Sequence, residues 1–349
     1  MASRVEDIAR QAGVSKATVS RVLNERPGVS AGLRKAVLTA LDVLGYERPT
    51  GLRPRSAGLV GLVMPALEDP IYPLFAGVIE TNLSRQGYTP VLCSQTPEGA
   101  TEDEYVGMLL DRGVAGIIFV SGLHADSTLD PSRYRDLVKQ RLPIVLVNGF
   151  VPDLAAPSFS CDDRSAAQLA VAHLAELGHH RIGLISCSAH QLPARRHLAG
   201  YRDAMETHTS TFDPALVDIA FPGPEGGYAG ACRLMAKKVT AIICGSDMMA
   251  LGAIRALRQN QYRVPEDISV VGYNDSVLMG YTDPPLTTIR QPALTMGTAA
   301  TRALIDQIRG VTTRQTESLF FPELVIRAST SHITARTTAP TDKPCSPTR

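Results

Sequence analysis

At 349 residues the chain exceeds a single small domain and is long enough for more than one core. Its 35 Lys and Arg against 34 Asp and Glu, with 44% hydrophobic residues, exclude a chain that is basic throughout and one that is disordered throughout. The near-neutral total conceals an asymmetry: residues 1–58 hold ten basic and five acidic side chains, and the remainder holds 25 and 29. A basic head on a mildly acidic body fits a nucleic-acid module joined to a second unit.

In chain order, Val5, Ile8, Ala9 and Ala12 fall on one helical face, with Glu6 and Asp7 in what reads as the first turn. Gly13 ends that helix, and Ser15 caps a second whose inward face is Val19, Val22 and Leu23. Ser30 caps a third helix reaching Leu44, with Val37, Leu38 and Leu41 inward. Helix, glycine-marked turn and helix form an arrangement that lays the second helix in the major groove of DNA.

Beyond Gly58, short apolar strands alternate with amphipathic helices: strands at 61–64, 89–93, 115–120 and 144–148, and a helix near 74–86. The order recurs with strands at 181–185, 241–244 and 269–274 and a helix near 196–206. The strands are apolar without alternation, as in parallel sheets covered on both faces. The predicted fold is an all-α helix-turn-helix head plus an α/β body of two doubly wound parallel-sheet subdomains facing across a cleft. Ligands in such sheets bind beyond the carboxyl ends of the strands.

The run Ala12-Gly13-Val14-Ser15-x-x-Thr18-Val19-Ser20-Arg21-Val22-Leu23-Asn24, followed by Val29-Ser30 and Gly45-Tyr46, resembles the lactose-repressor (LacI) family of transcription regulators. The likeness extends to about residue 330 through Asp69-Pro70-Ile71-Tyr72, Ser246-Asp247, Val271-Gly272-Tyr273-Asn274-Asp275 and Leu286-Thr287-Thr288-Ile289-Arg290-Gln291. It implies a periplasmic-binding-protein-like effector domain, double-stranded operator DNA and a small, sugar-like effector as partners, and a homodimer. By position, the resemblance places Lys16, Ala17 and Arg21 against base edges and Ser15, Thr18, Asn24, Ser30 and Tyr46 against phosphates. Arg4 and Leu33 depart from the family's hydroxyl residues at two further phosphate places. For the effector it implies Tyr72, Asn148, Arg195, Phe221, Ser246, Asn274 or Asp275, and Gln291, with Arg196 and His197 as rivals of Arg195. Asp247 reads as a helix N-cap.

Expected boundaries are 1–46 for the head, 47–58 for a hinge and 59–331 for the effector and dimerisation domain. Within the last, one subdomain takes 59–154 with 286–310 and the other 155–285 with 311–331. Residues 332–349 read as a disordered tail without a leucine heptad, which favours a dimer over a coiled-coil tetramer. The resemblance gives Leu52 the role of a minor-groove wedge in the hinge, although Pro54 opposes a helix there.

No catalytic residue, cofactor or metal is expected. Asp162-Asp163 and Glu102-Asp103-Glu104 read as solvated surface acids, and His179-His180 as a helix-end pair. Neither a Gly-x-Ser-x-Gly elbow nor a phosphate-cradling glycine loop occurs. The cysteines at 93, 161, 187, 232, 244 and 345 form no Cys-x-x-Cys pair and read as free thiols. Acidic and basic residues stand where a signal peptide needs an apolar run, and no stretch nears the roughly 18 apolar residues of a membrane span. The expected location is cytoplasmic and nucleoid-associated. The alternatives, a free solute-binding protein or a sugar-processing enzyme with an accessory DNA-binding head, lack the export signal or the catalytic motifs they need.

Overall fold

A computed structural model describes residues 2–24, 26–46, 57–96, 98–313 and 315–333. The chain divides into two compact units, Met1–Ala57 and Gly58–Arg349. Leu52, Pro54 and most of the expected hinge lie outside the described residues, as does all of the expected tail beyond residue 333.

The first unit contains α1 (Ala2–Ala12), α2 (Lys16–Leu23) and α3 (Ala31–Val43). Ile8, Val19, Val22, Val37 and Leu41 close its core, each fully buried. Ser15 and Ser30 cap α2 and α3 by accepting from the backbone N–H of Thr18 and Leu33. Gly13 takes a φ of +64° in the turn, where a side chain would be strained. Helix α1 begins at Ala2, so Glu6 and Asp7 sit beyond the first turn expected for them.

The second unit opens with β1 (Gly58–Met64), α4 (Ile71–Arg85), β2 (Tyr88–Ser94) and α5 (Glu102–Asp111). It continues through β3 (Gly116–Val120), α6 (Ser132–Lys139), β4 (Ile144–Val147) and β5 (Ser158–Cys161). Next come α7 (Asp163–Glu176), β6 (Ile182–Ser186), α8 (Leu192–Thr209), β7 (Val217–Ile219) and α9 (Pro224–Met235). The remaining elements are β8 (Ala241–Cys244), α10 (Asp247–Gln259), β9 (Ser269–Asn274) and β10 (Thr287–Arg290). Helix α11 (Ala293–Ile308) and strands β11 (Glu317–Phe320) and β12 (Glu323–Val325) follow.

Two six-stranded sheets result, ordered β11-β5-β4-β3-β1-β2 and β12-β10-β9-β8-β6-β7. Among the described residues all strand pairings are parallel except β10 with β12, so helices must cover both faces of each sheet. Accordingly β3, β4, β6, β8 and β9 are buried along their whole length. The close packing of α9 on α10 depends on glycine: a Cβ on Gly227 would stand 1.9 Å from the Met249 carbonyl oxygen, and one on Gly252 1.8 Å from that of Pro224.

The subdomain boundaries differ from those expected. Strands β5 and β11 belong to the first sheet, which therefore reaches residue 161 and regains the chain through residue 320. Strand β10 belongs to the second sheet, and the return crossover falls between Arg290 and Ala293 rather than at 286. The expected cuts at 154, 286 and 310 followed gaps between apolar runs. The segment Ser158–Cys161 and the edge strand Glu317–Phe320 are too polar to stand out in that way.

Candidate nucleic-acid interface and effector cleft

On the first unit, Ser15, Lys16, Ala17, Arg21, Asn24 and Ser30 are exposed, while Thr18 and Tyr46 are half-buried. The burial of Val19 and Val22 turns the opposite face of α2 outward, and Lys16, Ala17, Ser20 and Arg21 occupy it. Ser15 Oγ accepts from the Thr18 N–H at 3.1 Å and lies 2.9 Å from the Thr18 hydroxyl. Asn24 donates from Nδ2 to the Ser20 carbonyl at 2.8 Å. Lys16 Nζ lies 2.8 Å from Glu6 Oε1, which holds that carboxyl below its ordinary range and joins α1 to α2. The Arg4 guanidinium sits 4.7 Å from the centre of the Tyr46 ring, and the Tyr46 hydroxyl reaches Asp7 at 3.5 Å. Arg4 thus replaces a hydroxyl residue with a cation stacked on an aromatic side chain.

In the second unit, Asn148 follows β4 and Asn274 ends β9, both with positive φ, 56° and 116°. That conformation turns each side chain out of its strand where a sheet ends. Gln291 follows β10, on the chain segment that crosses back to the first subdomain. Its Nε2 donates to Asn274 Oδ1 at 2.7 Å, and its Oε1 accepts from Asn148 Nδ2 at 3.3 Å. Asn274 Nδ2 also faces the Asp69 carboxylate at 3.4 and 3.5 Å, joining the second sheet to the loop after β1. Burial raises the Asp69 pKa, opposed by the Ile71 N–H and the Asn274 amide. Burial, then the charge of Asp69, push the Tyr72 phenol up to about 12, opposed by Ser121 just beyond β3. Tyr72, Asn148, Asn274 and Gln291 are thereby brought into one cluster at the carboxyl ends of both sheets.

The other expected effector residues are placed differently. Asp275 turns its carboxylate away, to Arg290 Nε at 2.7 Å and Arg327 Nη2 at 2.6 Å, so Asn274 alone of that pair enters the cluster. Phe221 lies in the turn before α9 and is 87% exposed, and the structure does not bring it to the cluster. Ser246, rather than Asp247, caps α10, accepting from the Met249 N–H at 3.2 Å. Asp247 is fully buried; it accepts from the Ser276 N–H and the Thr288 hydroxyl, both at 2.6 Å, and burial lifts its pKa to about 7. Arg195 is exposed on the first turn of α8. Its rival Arg196 is committed to a two-pronged ion pair with Glu317 of the other subdomain, at 2.6 and 2.7 Å. His197 is buried behind them, its ring 5.5 Å from that of Tyr273.

Two acids expected on the surface are interior. Glu102 is 1% exposed and is bonded by the Tyr134 hydroxyl and, at 3.1 Å, by the Leu123 N–H. Asp163 accepts from the Tyr273 hydroxyl at 2.5 Å, and burial raises its pKa to about 7. His179 is likewise interior, bonded to Thr240 and to the Ser331 carbonyl, each at 3.0 Å. Asp69 and the Arg196–Glu317 pair were not anticipated as cleft or crossover contacts. Asp69 could have been marked by its place in the Asp69-Pro70-Ile71-Tyr72 landmark, whereas nothing local to Arg196 points to residue 317. Among the described residues, no group of His, Cys, Asp and Glu could hold a metal ion, and no helix is long and apolar enough to cross a membrane. Cys93, Cys161, Cys187 and Cys244 are free thiols.

A head whose described residues form three helices with the second exposed, together with two mostly parallel sheets whose strand ends meet on shared amides, defines a DNA-binding regulator with a ligand-binding body. Residues 4–49 match the model of bacterial regulatory proteins of the lacI family, and residues 171–330 match the periplasmic binding protein-like domain. The chain belongs to the LacI family of transcriptional regulators. It is 56% identical over 336 residues to the HTH-type transcriptional regulator reg1 of Streptomyces lividans, covering 95% of this chain and 97% of that one. Among solved structures it resembles a complex of the transcriptional regulator CelR with cellobiose, at 31% identity and TM-score 0.70, covering 93% and 99% of the two chains. It also resembles a lac repressor dimer bound to operator and the anti-inducer ONPF, at 27% identity and TM-score 0.69, covering 93% and 98%.

Proposed function

We propose that this regulator is a repressor that binds a palindromic operator as a homodimer and responds to a sugar held between its subdomains. The observation that carries the effector reading is the amide chain Asn148–Gln291–Asn274 at the ends of the two sheets. Primary amides present paired donors and acceptors that suit the hydroxyls of a polyhydroxy ligand. Tyr72 supplies an aromatic wall and Asp69 a carboxylate beside them. The cellobiose held by the similar regulator supports the same class of ligand.

In this reading Lys16, Ala17 and Arg21 contact base edges. Lys and Arg suit guanine O6 and N7, and Ala suits a thymine methyl. Ser15, Thr18, Asn24, Ser30 and Tyr46 fix register on phosphates, and Leu52 wedges into the minor groove. The homodimer rests on the similar lac repressor dimer and on the exposed apolar side chains of Phe221, just before α9, and of Val277, Leu278 and Tyr281, after β9. Phe221 is thereby reassigned from ligand stacking to subunit contact. Effector binding acts on DNA affinity through its different affinities for the open and closed subdomain arrangements. The protein works in the cytoplasm, on the nucleoid.

The test is a footprint of the full chain on DNA upstream of its own and neighbouring genes, repeated with glucose, maltose and cellobiose, alongside light scattering. The expected results are a palindromic footprint, a change of DNA affinity with at least one sugar, and the mass of a dimer. A footprint unmoved by every sugar overturns the effector assignment, and the mass of a tetramer overturns the dimer.

A further inference from the structure

The reading of all six cysteines as free thiols fails at one position. Cys232, half-buried in the last turn of α9, is disulfide-bonded. The other cysteines among the described residues, Cys93, Cys161, Cys187 and Cys244, are free. Of the six in the sequence that leaves Cys345, which lies outside the described residues. It stands twelve positions beyond Ile333. The Ile333 N–H donates to the Leu177 carbonyl at 3.0 Å, which places the end of the described chain beside the end of α7. Two positions past Leu177, His179 bonds the Thr240 hydroxyl at 3.0 Å, and the Thr240 N–H donates to the Arg181 carbonyl at 2.8 Å. Arg181 Nε donates in turn to the carbonyl of Lys237, two positions past the end of α9, at 2.6 Å. Cys232 lies little more than one helical turn from Lys237. Twelve extended residues reach about 40 Å, which exceeds this path.

We infer that Cys232 and Cys345 form a reversible disulfide within one chain, an oxidation-sensitive bond that ties the C-terminal tail to α9. Thiols are kept reduced in the cytoplasm proposed above, so a disulfide there serves redox sensing rather than permanent structure. The oxidant is a peroxide. One thiolate attacks a peroxide oxygen, giving a sulfenic acid and water. The second thiol attacks that sulfur, forming the S–S bond and releasing a second water. Two thiols lose two electrons and two protons, and one hydrogen peroxide becomes two waters. A dithiol reverses the bond by exchange through a mixed disulfide. Burial holds the thiols of Cys93, Cys161, Cys187 and Cys244 above their ordinary range. Thiols so placed carry little thiolate and react slowly with peroxide, which directs oxidation to the remaining pair. The bond fixes residue 345 at α9, twelve positions past the anchor of Ile333 on Leu177, and closes the chain between them into a loop.

The test uses the full chain, reduced with dithiothreitol, desalted and exposed to one equivalent of hydrogen peroxide. Thiol titration in denaturant should count six thiols before peroxide, four after it and six again after dithiothreitol. Non-reducing peptide mapping should find the peptide containing Cys232 joined to that containing Cys345. Cys232→Ser and Cys345→Ser should each abolish this link, and Cys187→Ser should keep it. The Cys345→Ser variant leaves α9 untouched, so its result does not depend on how a serine packs at 232. Brief trypsin cleavage after Arg336 should release residues 337–349 from the reduced protein and leave them attached to the oxidised protein. Six thiols unchanged by peroxide, a link between any other pair, or a covalent dimer on a non-reducing gel overturns the proposal. None of these readouts depends on the sugar or on the operator.

Discussion

Asn148 and Asn274 end strands of different sheets, yet their side chains meet on a single residue, Gln291. Each asparagine adopts a left-handed backbone, so each amide leaves its own strand and turns toward the crossover segment. Gln291 therefore reports on both subdomains at once. Gln291→Ala leaves two buried amides without their shared partner, which costs about 1–3 kcal/mol. The expected result is a lower urea midpoint together with at least tenfold weaker sugar binding. Unchanged sugar titrations would separate the amide chain from ligand recognition.

Arg21 is the exposed basic residue in the last turn of α2. If it reads guanine, Arg21→Ala should relax preference at one position in each half-site by about 1–3 kcal/mol. Selection from a randomised operator library measures this directly. A motif identical to wild type would move base reading elsewhere on α2. Lys16 remains available for the same task, because its bond to Glu6 is an exposed ion pair of little worth.

Leu52 calls for a different comparison. An apolar wedge acts on the kinked operator and not on straight duplex, because its return comes from the extra contacts that bending permits. Leu52→Ala should weaken operator binding far more than binding to unrelated DNA. Gel-shift titrations on both duplexes at one salt concentration provide the test, and equal losses on the two would remove the wedge.

Gly252 tests the packing beneath the proposed subunit contact. A methyl group there meets the Pro224 carbonyl at 1.8 Å, a backbone atom that cannot swing aside. Gly252→Ala should therefore push α9 from α10 and destabilise the second unit by about 1–3 kcal/mol, the usual cost of overpacking. Because Phe221 lies in the turn before α9 and its carbonyl packs against Gly226 of that helix, the variant should also dissociate to monomers at higher protein concentration. Thermal melts and light scattering across a dilution series measure the two effects.

Legibility from sequence followed the strength of local pattern. The head was readable because capping serines, Gly13 and a helical apolar stripe act within a few residues of one another. The central strands were readable because two covered faces demand continuous apolar runs. Strands β5 and β11 were not, being short and partly polar, and the subdomain boundaries moved with them. Asn148, Asn274 and Gln291 came from resemblance and meet in space. The carboxylate of Asp275 is taken by Arg290 and Arg327, residues 15 and 52 positions away, and no local signal carries such pairing. Glu102 and Asp163 read as surface acids because their partners Tyr134 and Tyr273 are 32 and 110 positions distant.

His197 carries the pH dependence that can be assigned to one side chain. Burial lowers its pKa from 6.5 to about 4, and its Nε2 has no hydrogen-bond partner among the described residues. The unfolded chain binds a proton between those two values and the folded chain does not, so stability is lost as pH falls from 6.5 toward 4. His124, also lowered to about 4 by burial, acts in the same direction. Asp163 and Asp247 oppose them: raised to about 7, they bind protons in the folded state first, and their contribution falls as pH rises from about 4 to 7. The net curve of the wild-type protein is therefore shallower than either pair alone would give. Replacing His197 with an apolar ring isolates one contribution. Relative to wild type, His197→Phe should gain about 2 kcal/mol on passing from pH 7.5 to pH 5, where His197 would otherwise remain unprotonated in the fold at a cost. Urea unfolding of both proteins at the two pH values measures the difference. A gap that stays constant with pH would mean that His197 titrates alike in the folded and unfolded chains.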